Sequence, residues 1–207
     1  MSATVLLVHG GLWDSMDAQA FWGTPGITAG LTDAGLTVLA PDRPRLPSDW
    51  AVEVDALGEL LASRIEPLTI VGASNGCTTA ARLAMTYPGI VEGLVFAWPA
   101  TAGDDGVDTL TRAGLLGRAC SPGDADRLLA GDTLRGTTDA ELAGLARVPV
   151  AVLPSLLENP VHQRRTVDDL LQLIQGSREL PGCPEPPRPD FPPYLDQFVR
   201  SIVEFVS

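Results

Sequence analysis

The residues with the clearest chemical potential are Gly72-Ala73-Ser74-Asn75-Gly76, a serine held between two glycines. An apolar, partly β-branched run, Leu68–Val71, precedes them, and a helix-like run of small and apolar residues, Thr78–Tyr87, follows until Pro88. A Gly-x-Ser-x-Gly between strand and helix is the nucleophile-elbow pattern, in which a sharp turn presents the hydroxyl. The glycines have a steric task, because a Cβ on either flank would meet the neighbouring strand or helix. A serine hydroxyl also needs a base in hydrogen-bond reach. The chain has two histidines, His9 and His162, and three cysteines, Cys77, Cys120 and Cys183. The cysteines have no CxxC spacing and are odd in number, so neither a disulfide framework nor a zinc site is indicated.

The elements that must position Ser74 follow from the apolar pattern. Thr4–Val8, Leu36–Ala40, Leu68–Val71, Val91–Ala97, Val148–Leu153 and Arg178–Leu180 read as six short strands. Helices are expected over 26–33, over Asp49–Ile65, after the elbow, within Pro160–Gln175 and over Tyr194–Val206. The segment 101–147 has no strand signal. Ser121 to Asp124 and Thr138 to Glu141 pair an N-cap residue with an acid three positions on, which suggests two or three short inserted helices. Pro181–Pro193 is proline-dense and reads as a stiff loop. Alternating strands and helices imply an α/β three-layer sandwich, a doubly wound parallel sheet of about six strands in one domain spanning 1–207. In the order 2-1-3-4-5-6 the first and third strands meet at the switch point, where ligands bind. His9-Gly10-Gly11 and the Ser74 turn then face one crevice.

Composition narrows the partners. The chain has 207 residues, is 45% hydrophobic and carries a net charge of −12, with every basic residue an arginine. That balance argues against nucleic acid or an anionic membrane as a partner. A small-molecule substrate or ligand is expected, on a monomer or homodimer. The N-terminal apolar run is too short for a signal peptide or membrane span, so a reducing cytoplasm is expected, with no cofactor and no metal.

Several stretches together resemble the α/β-hydrolase superfamily over nearly the whole chain: Val5-Leu-Leu-Val-His-Gly-Gly11, Val38-Leu-Ala-Pro-Asp42, the Ser74 elbow, Val148-Pro-Val-Ala-Val-Leu-Pro154 and the closing amphipathic helix. The chain looks like a short member that begins at the family's third strand. The resemblance implies a serine hydrolase of a small ester, thioester or amide, with Ser74 as nucleophile and backbone N–H groups of Gly11 and Asn75 holding the oxyanion. In that fold 101–147 lies where the family inserts a lid and either shapes the pocket or replaces a connecting helix, and Leu12, Trp13 and Trp98 either line the pocket or pack beside it. The family's acid follows the fifth parallel strand. Here that loop reads Pro154-Ser-Leu-Leu-Glu158-Asn159-Pro-Val-His162; the family's pattern puts its acid at Asn159, so Glu158, one residue off, is the expected substitute and His162 the one histidine available as a relocated base. The family's histidine follows the last strand, where this chain has Cys183, and a thiol cannot replace an imidazole at neutral pH. This departure leaves two further expectations open: a non-catalytic binding or partner module that keeps the pocket, and non-hydrolytic chemistry such as a cyclisation, isomerisation or lyase step in the same crevice, with Ser74 or Cys183 as the catalytic proton donor.

Overall fold

The computed structural model describes residues 2–12 and 16–207. Six strands form one parallel sheet in the order β2-β1-β3-β4-β5-β6. They are β1 (Thr4–Val8), β2 (Thr37–Leu39), β3 (Leu68–Ala73), β4 (Val91–Ala97), β5 (Val150–Leu153) and β6 (Arg178–Glu179). The helices are α1 (Ile27–Asp33), α2 (Trp50–Ala62), α3 (Gly76–Thr86), α4 (Asp105–Leu116), α5 (Pro122–Leu129), α6 (Asp139–Ala143), α7 (Arg164–Leu173) and α8 (Leu195–Val206). The expected order and the expected strands hold, with ends shifted by a residue or two.

The period-two alternation of each strand divides the core into two layers. Leu6, Val8, Ile70, Leu94, Phe96, Val150 and Val152 pack under α2, α3 and α7. Val5, Leu7, Val71, Val95, Ala151 and Leu153 pack under α1 and α8, against Trp22, Trp98, Phe191, Phe198 and Ile202. Both faces are covered, so the central strands are apolar throughout rather than alternating. No helix among the described residues is long and apolar enough to cross a membrane.

The insertion after β4 folds as α4, α5 and α6, each started by its own cap. Asp104 accepts from Gly106 and Val107, Ser121 accepts from Asp124, and Thr138 and Glu141 form a reciprocal capping box. A smaller apolar cluster joins this cap segment to the body: Leu12, Trp50, Leu115, Ala125 and Leu128. The indole N–H of Trp50 donates to the Leu128 carbonyl at 3.1 Å, which fixes the segment over the start of α2.

Candidate active site

Ser74 occupies the turn between β3 and α3 with φ +50°, a left-handed conformation that costs a residue with a Cβ about 1 kcal/mol or more. The flanking glycines permit it. A Cβ on Gly72 would lie 2.6 Å from the Gly76 carbonyl oxygen and 2.7 Å from Ala80 Cβ. One on Gly76 would lie 2.5 Å from the Val8 carbonyl oxygen. Any larger residue would push α3 off β1. The Ser74 amide donates to the Ala97 carbonyl at 2.9 Å, so the turn is held by β4 as well.

The hydroxyl has a partner. Ser74 Oγ lies 2.9 Å from His162 Nε2, and His162 Nδ1 lies 2.6 Å from Glu185 Oε2. With the proton on Nδ1, the ring donates to the carboxylate and presents a bare Nε2 lone pair to the serine. The imidazole is largely buried, at 7% exposure, and the carboxylate at 14%. Glu185 Oε1 accepts from Asn159 Nδ2 at 3.3 Å and stands 3.5 Å from Arg188 Nη1.

Main-chain bonds explain why three distant residues meet. Beyond β5 and β6 the two chain segments stay together: Leu180 donates to Val152, Cys183 to Pro154, and Leu156 to Cys183. This draws the loop carrying His162 alongside the loop carrying Glu185. Thr101, fully buried after β4, then holds the histidine from both sides. Its amide donates to the Val161 carbonyl at 2.8 Å and its hydroxyl accepts from the Gln163 amide at 2.9 Å.

These positions depart from the expected arrangement. Glu158 does not face His162; its carboxylate accepts from the Arg164 amide at 2.9 Å and caps the start of α7. The imidazole stands on the loop after β5, where an acid was expected, and the carboxylate on the loop after β6, where the histidine was expected. Cys183 is fully buried in the layer beneath Trp98, Phe191 and Phe198. Burial pushes its thiol up to about 12, so it is neutral at physiological pH. Its carbonyl accepts from Trp98 Nε1 at 2.7 Å. Trp98 is accordingly a core residue and not a pocket rim: it has no exposed surface and stacks on Phe198 with centroids 5.4 Å apart. Leu12 is also buried, as the anchor of the cap segment. Trp13 lies outside the described residues.

Gly11 takes φ +84°, one residue after Gly10, where a Cβ would lie 3.1 Å from Ser74 Cβ, in a turn whose carbonyls are all engaged. His9 Nδ1 lies 2.7 Å from the Gly10 oxygen, while Arg43 Nη1 donates to the oxygens of His9 at 2.9 Å and Gly11 at 2.6 Å. Burial holds the His9 imidazole below its ordinary value, and the nearby Arg43 charge acts in the same direction. Its neutral ring accepts from the Arg43 amide through Nε2 at 3.1 Å. Asn75 begins α3, and its side chain accepts from Arg135 Nη1 at 2.9 Å. Among the described residues no cluster of His, Cys, Asp or Glu could hold a metal ion.

Glu185, Arg43 and Arg135 were not singled out as site residues from the sequence. For Glu185 a signal existed: a histidine in the loop of the acid invites a search for an acid in the loop of the histidine. For Arg43 and Arg135 there was none, since their partners are set by tertiary packing.

No protein-family model and no curated protein matches the sequence. Solved structures do match in shape. NosK from Streptomyces actuosus superposes with a TM-score of 0.70 at 22% identity, covering 100% of this chain and 99% of its own. The meta-cleavage product hydrolase CumD from Pseudomonas fluorescens gives 0.71 at 20% identity, covering 99% and 90%. A pyrethroid hydrolase from Sphingobium faniae gives 0.66 at 15% identity, covering 100% and 98%. Together with the sheet order, these likenesses give the chain the α/β-hydrolase fold.

Proposed function

We propose that the chain is a serine hydrolase of a small ester, thioester or amide, working through Ser74, His162 and Glu185. One observation carries the reading: the unbroken relay from Ser74 Oγ through both ring nitrogens of His162 to Glu185, at 2.9 and 2.6 Å. Ser74 Oγ attacks the substrate carbonyl carbon as its proton passes to His162 Nε2. Glu185 keeps the ring in the tautomer that can accept that proton and stabilises the imidazolium that results. The tetrahedral oxyanion lies against the N–H groups of Gly11 and Asn75, at the start of α3, where the helix dipole also favours negative charge. His162 returns the proton to the leaving group. A water, deprotonated by the same nitrogen, then releases the acyl group from Ser74.

The reading of a degenerate binding module rested on a serine without a base. The reach of Ser74 is occupied by an imidazole, which favours the hydrolase. A fluorophosphonate probe tests it: the wild-type protein is expected to be labelled on Ser74, and both Ser74→Ala and His162→Ala to resist labelling. A folded wild-type sample that stays unlabelled ends the proposal.

A further inference from the structure

We infer that Arg43, with Glu53 as its buried counter-ion, is a positioning residue that fixes the turn whose Gly11 N–H faces the oxyanion; the inference rests on the serine-hydrolase reading above. Arg43 and Glu53 are only 4% and 1% exposed and meet through two parallel bonds, Nε to Oε2 at 2.9 Å and Nη2 to Oε1 at 2.8 Å. Burying both charges is expensive and contributes little net stability compared with apolar side chains of similar volume. The other nitrogen, Nη1, donates to the carbonyls of His9 and Gly11.

The geometry of the peptide group turns that contact into an orientation. In a trans peptide the C=O of one residue and the N–H of the next point in opposite directions within one plane. His9 Nδ1 holds the Gly10 oxygen inward, so the Gly11 N–H points the other way. Arg43 holds the Gly11 oxygen inward, which does the same for the Leu12 N–H. Arg43 also anchors His9 itself, through its own amide to Nε2. These carbonyls lie beyond the end of β1 and have no strand partner, so besides the His9 ring on Gly10 it is the Arg43 side chain that fixes the peptide planes of the turn.

The same carboxylate reaches the other half of the site. The hydroxyl of Thr79, on α3, donates to Glu53 Oε2. Glu53 therefore ties the Gly11 turn, through Arg43, and the helix that Asn75 begins, through Thr79, to one fixed point. Two donors 64 positions apart in sequence are thereby held in a common frame.

The test uses the full chain, p-nitrophenyl butyrate as substrate and an alkyl trifluoromethyl ketone as an oxyanion-forming inhibitor. Arg43→Lys keeps the charge opposite Glu53, but one ammonium cannot span the carboxylate and two carbonyls. The double variant Arg43→Leu/Glu53→Leu removes both charges and leaves none stranded. In each, kcat is expected to fall by about 100-fold, the scale of one lost oxyanion donor. KM should stay within about 3-fold, and the ketone should bind more weakly in parallel with kcat. A purely structural pair would leave the ratio of ketone affinity to KM unchanged. Either variant, folded by circular dichroism, turning over and binding the ketone as wild type does overturns the inference. Failure of the hydrolase reading shows separately, as absence of fluorophosphonate labelling on wild-type Ser74.

Discussion

Glu185 and Glu158 both stand within a few residues of the site, and only one of them touches the imidazole. Glu185 meets His162 Nδ1 at 2.6 Å, while Glu158 is spent on the Arg164 amide. The two carboxylates therefore separate in a simple experiment. Glu185→Gln leaves the shape intact but presents an amide that favours the wrong ring tautomer, and kcat is expected to fall by about 10³- to 10⁴-fold. Glu158→Gln removes only a helix-terminal charge and should change kcat by less than about 3-fold. Equal losses in the two would refute the assignment. Cys183 gives a second contrast: its thiol is buried and neutral, so iodoacetamide at neutral pH should not modify it in the native state, and Cys183→Ala should keep most of the activity. At this scale the sequence was half legible. The Ser74 turn could be read because glycine sterics act on neighbours in the chain, and His162 because it was the one imagined base. The partner of His162 could not, since a 23-residue gap closes only when the segments beyond β5 and β6 pair.

The elements explain how an imidazole and a carboxylate from two different loops come to meet. Both loops leave the same end of adjacent parallel strands and are joined by main-chain bonds at Cys183, Pro154 and Leu156. A side chain from either loop can therefore fill either station, provided that imidazole and carboxylate still meet. The strands themselves were legible, because two-faced burial writes them as short apolar runs between glycine and proline punctuation. The helices of the cap segment were legible from their caps. Its attachment was not, since it uses, besides the Trp50 contacts, Arg135, whose side chain reaches Asn75 at 2.9 Å and Asp108 of α4 at 2.9 Å. Arg135 is 3% exposed and Asp108 about a quarter, so the pair is only partly desolvated. Arg135→Leu is expected to lower unfolding stability by about 2–3 kcal/mol in urea titration, below the range for a fully buried pair. Combined with Asn75→Ala, whose backbone N–H is retained, the losses should fall short of additive by about 1 kcal/mol, as for groups sharing one charged hydrogen bond. Strict additivity would show that Arg135 acts on the cap alone.

Across the whole molecule the charge balance is lopsided. A chain with net charge −12 repels itself at its surface, yet it keeps the Arg43–Glu53 pair and a neutral His9 in its interior. The inner pair contacts the turn after β1, where Arg43 donates to the His9 and Gly11 carbonyls. His9 links this interior to pH. Burial lowers its folded-state value below the ordinary 6.5, and protonation would place an N–H on Nε2 against the Arg43 amide that it now accepts from. A histidine with a depressed folded value binds its proton more readily when unfolded. Its contribution to stability is complete above about pH 6.5 and is lost as pH falls below that value towards the folded one, at up to about 1.4 kcal/mol per pH unit. His9→Gln, which cannot titrate, should remove that part of the slope. Urea midpoints for wild type and variant at pH 7.5, 6.5 and 5.5 isolate it, because His162 and the carboxylates are common to both proteins. The stability difference between them should shrink as the pH drops, and a difference that stays constant over this range would mean that His9 does not titrate between the folded and unfolded states.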